Sequence, residues 1–199
     1  MASDKQNTEI RQEQIARAAL QAIALGGTKS LSLARIAQCV GLVPSAIYRH
    51  FGGKDEVIDS VLDLINGHLQ ANLASVNAET ENAVEALRRL MNRHVNLFCQ
   101  NDGVSTLIFS DQVYSGPVKR KAKIYKVIRE YLAGISKLVK KGQQARLIRL
   151  DVEPGVIAVM FLGLVQPPAI LSHLSERDFD VPRQTEQAWR VFKDAICPR

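Results

Sequence analysis

The sequence predicts an all-α protein: a three-helix N-terminal helix-turn-helix domain over residues 1–66, joined to a C-terminal helical bundle domain over residues 67–199. Two observations carry that prediction. Sustained period-2 alternation, the mark of a half-buried strand, is absent along the 199 residues. Apolar residues recur instead at helical spacing, in segments punctuated by glycine pairs and a Gly-Pro turn.

The first helix is expected from about Thr8, a suitable N-cap, to Leu25, burying Ile15, Ala18, Ala19, Ala22 and Ile23 and stopping at Gly26-Gly27. A second starts after Ser32 and carries Leu33, Ile36, Ala37 and Val40 on one stripe before Gly41 ends it. Pro44 suits the first turn of a short third helix, where its missing N–H would have had no partner, and Ile47 and Phe51 face inward. After Gly52-Gly53, Asp55 and Glu56 open a fourth helix and complement its dipole; Val57, Ile58, Val61, Leu62 and Ile65 form its core face.

The polar run Asn66–Asn82 reads as a junction between modules. A long helix then aligns Val84, Leu87, Leu90, Met91, His94, Leu97 and Phe98, and Asn101-Asp102-Gly103 ends it. One shorter helix is expected from Ser105 to Tyr114. A long basic helix follows, with Ile124, Val127, Ile128, Tyr131, Leu132, Ile135, Leu138 and Val139 inside and Gly142 fraying its end. Gly155–Leu171 is the most apolar segment, but Gln166, Pro167 and Pro168 argue against a membrane span. A helix apolar nearly all round needs neighbours on every side; a second subunit or an intramolecular core would each supply them. The last helix, about Arg183–Ile196, offers Ala188, Trp189, Phe192 and Ile196.

Composition narrows the function classes. The segment MASDKQNTEIRQEQ is polar and lacks the apolar core of a secretory leader, so a cytoplasmic location is expected. Cys39, Cys99 and Cys197 are odd in number and widely spaced, which suits free thiols better than a disulfide framework or a zinc knuckle. The net charge is +6, yet residues 1–66 balance Lys5, Arg11, Arg17, Lys29, Arg35, Arg49 and Lys54 against Asp4, Glu9, Glu13, Asp55, Glu56, Asp59 and Asp63. The excess lies between Val118 and Leu150, where Lys119, Arg120, Lys121, Lys123, Lys126, Arg129, Lys137, Lys140, Lys141, Arg146 and Arg149 face one acid, Glu130. That basic helix is expected to be a solvated face, with attraction of an acidic ligand as the alternative. His50, His68, His94 and His173 show no metalloprotease spacing, and no Walker, dinucleotide or nucleophile-elbow pattern occurs. His94 and Cys99, five apart on one helix, diverge too far to act as a pair. Neither an enzyme nor a cofactor is expected.

Two short helices around a glycine turn make a helix-turn-helix, whose second helix can lie in the major groove of DNA. The surrounding residues sharpen this signal: IARAALQAIALGG, then Ile36-Ala37, Gly41-Leu42-Val43, Tyr48-Arg49-His50-Phe51, and Lys54 followed by Val57. Over about residues 8–66 the chain resembles the TetR family of bacterial transcriptional regulators, and FLGLVQPPAILSHLSERDFD is loosely similar to some of that family's C-terminal domains. The resemblance implies that Tyr48 and His50 hydrogen-bond DNA phosphates, that Lys54 brings an ammonium to the backbone, and that Ser32 caps its helix and touches phosphate. It places Pro44, Ser45, Ala46 and Arg49 against the groove; Arg49 has the fork suited to guanine O6 and N7, and Pro44 and Ala46 suit thymine methyls. Val43 stands where the family commonly has serine, removing a cap, and Ser45 where it commonly has glycine.

The resemblance further implies a homodimer that binds a palindromic operator in double-stranded DNA and carries a small-molecule effector site in the C-terminal domain, with no membrane partner. Effector binding changes DNA affinity only if it favours one arrangement of the reading heads. Phe98, Cys99, Phe109, Tyr114, Met160 and Trp189 are the candidate lining residues; ordinary core packing is the competing role for them. A DNA-associated or partner-binding protein of the same fold, without effector-controlled repression, is the alternative function.

Overall fold

The computed structural model describes residues 2–175 and 178–198, with side chains from residue 8 onward. Every regular element among the described residues is an α-helix. The chain divides into two compact units, Met1–Gly67 with Asn101–Ile124, and His68–Gln100 with Tyr125–Arg199. The sequence places everything beyond residue 66 in a second domain; as compact units, residues 101–124 pack with the first. Long-range packing is the reason, as Gly103 and Arg120 show below.

In the first unit, α1 (Ala2–Gly26) buries Ile15, Ala18, Ala19, Ala22 and Ile23, the stripe the spacing predicts. It begins well before Thr8, which is therefore not its N-cap. Small side chains on α1 let α6 (Asp102–Ile108) approach closely: a Cβ on Gly103 would lie 2.1 Å from the carbonyl oxygen of Leu20. The expected single helix over 105–114 is two, α6 and α7 (Asp111–Tyr114), parted at Phe109 and Ser110. Ser32 caps α2 (Leu33–Cys39), its Oγ accepting from the Arg35 N–H at 3.2 Å. Val40, expected on the buried stripe, is the half-exposed C-cap.

Gly41 then takes a left-handed conformation, φ +66°, and the Leu42 N–H closes on the Ala37 carbonyl at 2.8 Å. This reversal sets α3 (Pro44–Ile47) against α2. Gly41→Ala forces a Cβ into that conformation and is expected to cost about 1 kcal/mol. The measurement is a melting temperature lowered by roughly 2–4 °C. An unchanged melt would remove the strain argument.

The α-helical part of α3 is four residues long, shorter than the expected span to Phe51; turns complete it, with the Phe51 N–H bonded to the Ile47 carbonyl at 3.0 Å. Both Ile47 and Phe51 are buried, as their spacing predicts. The fourth helix does not stop at the polar run: α4 (Lys54–Glu79) continues through it, because Leu69, Leu73 and Val76 keep a buried stripe among the polar residues.

In the second unit, α5 (Ala83–Cys99) is capped by Asn82 and buries Leu87, Leu90, Met91, His94, Val95 and Phe98. The basic helix α8 (Val118–Gln144) begins in the first unit and buries Tyr131, Ile135, Leu138 and Val139 in the second; Ile128, expected inside, is exposed. Gly142 does not fray the end of α8. A Cβ there would meet Ile148 Cδ1 at 2.6 Å and Ala83 Cβ at 2.9 Å, so the glycine marks a close approach. The segment Pro154–Leu174 has the length and hydropathy of a membrane span, and a third of its most apolar window is buried. It forms two helices, α9 (Pro154–Gly163) and α10 (Gln166–Leu174), with the break at Leu164 and Val165 just ahead of Pro167-Pro168. Helix α11 (Val181–Ile196), capped by Asp180, packs Thr185, Trp189, Phe192 and Ile196 inward.

Candidate nucleic-acid interface

The candidate interface is built on a buried hinge. Ile47 and Phe51 anchor the third helix, and the residues between and before them turn outward: Pro44, Ser45 and Arg49 are exposed, Tyr48 is 61% exposed, and Ala46 is half-buried. Val43 provides no side-chain cap; Pro44 has no N–H to satisfy, and the Ala46 N–H bonds the Val43 carbonyl at 2.9 Å. Ser32, ahead of α2, is exposed; its oxygen accepts from the Arg35 N–H, which leaves the hydroxyl proton to donate elsewhere.

His50 is held from behind, its carbonyl oxygen accepting from Gln12 Nε2 at 3.2 Å. Its Nδ1 is buried with no partner, so the ring does not satisfy a local carbonyl through that atom. Lys54 opens α4, where an ammonium opposes the helix dipole. Its Nζ donates to the Thr28 carbonyl at 2.8 Å, tying the start of α4 to the turn after α1 and leaving further N–H donors free. Glu56 reaches back to accept from the Gly52 N–H at 2.6 Å, tying the first turn of α4 to the glycine turn ahead of it.

The acids of this unit have partners of their own. Arg120, expected on a solvated face, is 1% exposed. Its Nε donates to Asp59 Oδ1 at 2.7 Å, one terminal nitrogen to Asp55 Oδ1 at 2.8 Å and the Asp55 carbonyl at 3.1 Å, and the other to Gln112 Oε1 at 3.1 Å. Lys123 Nζ donates to the Asp59 carbonyl at 2.8 Å and to Asp63 Oδ2 at 2.6 Å. Sequence reading missed this cluster. The signal was Asp55, Asp59 and Asp63, each four residues from the next on one helix face, with Arg120 and Lys123 three apart.

The effector candidates divide between the two units. Phe109 and Tyr114 belong to the first unit, and Phe98, Cys99, Met160 and Trp189 to the second. Tyr114 is 63% exposed and Met160 48% exposed, each carried on the outer side of its helix. Trp189 is core, 5.7 Å from the Phe192 ring, which in turn meets Phe161 at 6.2 Å. Phe98 stacks on His94 at 5.4 Å between ring centres, and Cys99 is half-buried.

The polar feature inside this unit is one the sequence reading did not assign. Tyr131 Oη and His94 Nδ1 lie 3.2 Å apart, with the rings edge to face. Burial pushes the His94 pKa down to about 4 and the Tyr131 pKa up. The imidazole is therefore neutral near pH 7, and it shares one hydrogen bond with the phenol through Nδ1.

Comparison with known proteins adds two family matches. The model of bacterial regulatory proteins of the tetR family matches residues 15–61, and that of the tetracyclin repressor-like C-terminal domain matches residues 80–169. The nucleoid occlusion factor SlmA of Vibrio vulnificus strain YJ016 is 19% identical over 170 residues, 85% of this chain and 87% of that one. The transcriptional regulator FadR from Bacillus subtilis, solved in complex with stearoyl-CoA, superposes with a TM-score of 0.78 at 18% identity, covering 90% of this chain and 96% of that one. AibR, solved with isovaleryl coenzyme A and operator DNA, gives 0.67 at 20% identity over 90% and 96% of the two chains. At these identities the structural likeness is one of fold.

Proposed function

Because the chain belongs to the TetR family of transcriptional regulators, we propose that it is a cytoplasmic homodimer that represses transcription from a palindromic operator and is released by a small-molecule effector. The observation that carries this reading is the outward placement of Tyr48 and Arg49 over buried Ile47 and Phe51. Ser32, Tyr48, His50 and Lys54 supply phosphate contacts, which fix register; Pro44, Ser45, Ala46 and Arg49 face base edges, which carry sequence information. Exposed Val156, Val159 and Met160 on α9, Ile170, Leu171 and Leu174 on α10, and Val191 on α11 support a second copy of the chain as partner, since large apolar side chains in such number on three helices are candidates for burial by association. We propose an effector site in the second unit, with Phe98 among its candidate lining residues and coenzyme A thioesters as the first class to test, on the strength of the FadR and AibR complexes.

Selection of bound sequences from random duplex DNA tests the reading. A site with two-fold symmetry should emerge, as a symmetric dimer reads two half-sites. Tyr48→Ala should weaken binding about tenfold across all sequences, and Arg49→Ala should relax base preference at one position by about 1–3 kcal/mol. Both side chains are exposed, so melting should shift by less than about 0.5 kcal/mol. Unchanged binding by both variants overturns the assignment. The likeness to nucleoid occlusion factors favours one second reading, a DNA-associated protein without effector control. Operator affinity that no acyl-CoA alters would support it.

A further inference from the structure

Arg120 is an expensive residue where it stands. A guanidinium that is 1% exposed loses nearly all its hydration, and in the first turn of α8 it also opposes the helix dipole. Replacing such a buried ion pair by an apolar side chain of similar size is often neutral or stabilising, so stability alone does not account for it. Geometry does. The planar fork fixes three directions at once, and here they end on Asp59, on Asp55 and its carbonyl, and on Gln112. Lys123 repeats the attachment one turn along, at Asp59 and Asp63.

The segment so held is the first two turns of α4, directly after the turn that closes the third helix. Gly52-Gly53 joins Phe51 to Lys54, and Glu56 of α4 holds that link by accepting from the Gly52 N–H at 2.6 Å. Lys54 to Thr28 restrains α4 from the other side. The direction of the Pro44–Phe51 segment therefore depends on where α4 starts.

We propose that Arg120 is a positioning residue for DNA binding: through Asp55 and Asp59 it fixes the first turns of α4 and thereby the placement of Tyr48 and Arg49. The inference rests on the DNA-binding reading above and extends it to a residue far from the interface in sequence.

Two variants and two measurements test it. Asp55→Asn with Asp59→Asn removes two negative charges from a DNA-binding unit; a purely electrostatic role predicts tighter binding. Positioning predicts the opposite, a loss of tenfold or more in operator affinity. Arg120→Met keeps the volume and removes the fork, and is the second variant should the double substitution fail to fold. It should lose tenfold or more in affinity, and its melting temperature should fall as well, because Asp59 is left without its partner. Amide hydrogen exchange, measured without DNA, should accelerate at least tenfold across residues 44–60 in Arg120→Met and remain unchanged in α5 and α11. Unaltered exchange in 44–60, or tighter binding by the Asn pair, overturns the proposal. Faster exchange in a protein whose wild type binds no duplex would leave the positioning role standing and remove the DNA-binding reading instead.

Discussion

Gly103→Ala is expected to destabilise the protein by about 2 kcal/mol, the difference between two opposed effects. Alanine is the better helix former, and at an ordinary helical glycine the change would stabilise by up to about 1 kcal/mol. At position 103 the new Cβ would sit 2.1 Å from the Leu20 carbonyl oxygen and 3.0 Å from Leu20 Cγ. The first of these is backbone and cannot rotate away, so α6 must move off α1, and overpacking of this kind costs about 1–3 kcal/mol or more. Thermal or urea unfolding of the variant checks the sign. A stabilised Gly103→Ala protein would show that α1 and α6 do not meet as closely as described.

Acidification is expected to produce the other large effect. His94 is buried and neutral, with a pKa pushed down to about 4 from the ordinary 6.5. An unfolded chain takes up a proton as pH falls through 6.5, whereas the folded chain resists until about 4. The stability contributed by keeping this imidazole neutral is thus complete above pH 6.5, declines between 6.5 and 4, and is gone below. The full change is about 3 kcal/mol. His94→Gln retains an acceptor for Tyr131 and cannot titrate in this range, so its unfolding free energy should be flatter between pH 7 and 4.5. Equal slopes in both proteins would place the acid sensitivity elsewhere. The carboxylate of Asp151, held at about 2 by Arg149, responds only at lower pH and does not confuse the comparison.

Much of the reading head was legible because its signals are local. The Ser32 cap, the Gly41 turn, Pro44 at the first position of α3 and the four-residue spacing of Ile47 and Phe51 each act within a few residues, and each is in place. The boundary between α4 and the second domain was misplaced because tertiary burial there outweighs local polarity. Leu69, Leu73 and Val76 carry α4 through a run whose polar residues suggested a linker. The effector candidates were chosen for being aromatic or sulfur-bearing, and that criterion does not distinguish Trp189 in the core from Tyr114 on the surface.

By itself the sequence determined the helical class, most of the helices, the family and the outward face of the third helix, since turn geometry, capping and apolar period are all set by near neighbours. Only the tertiary structure decided that residues 101–124 join the first unit, that Arg120 is buried against Asp59 from 61 positions away, and that His94 meets Tyr131 across 37. Those pairings exist because helix packing brings distant residues together, and a charged or polar side chain carries the same letter whether water or another helix receives it.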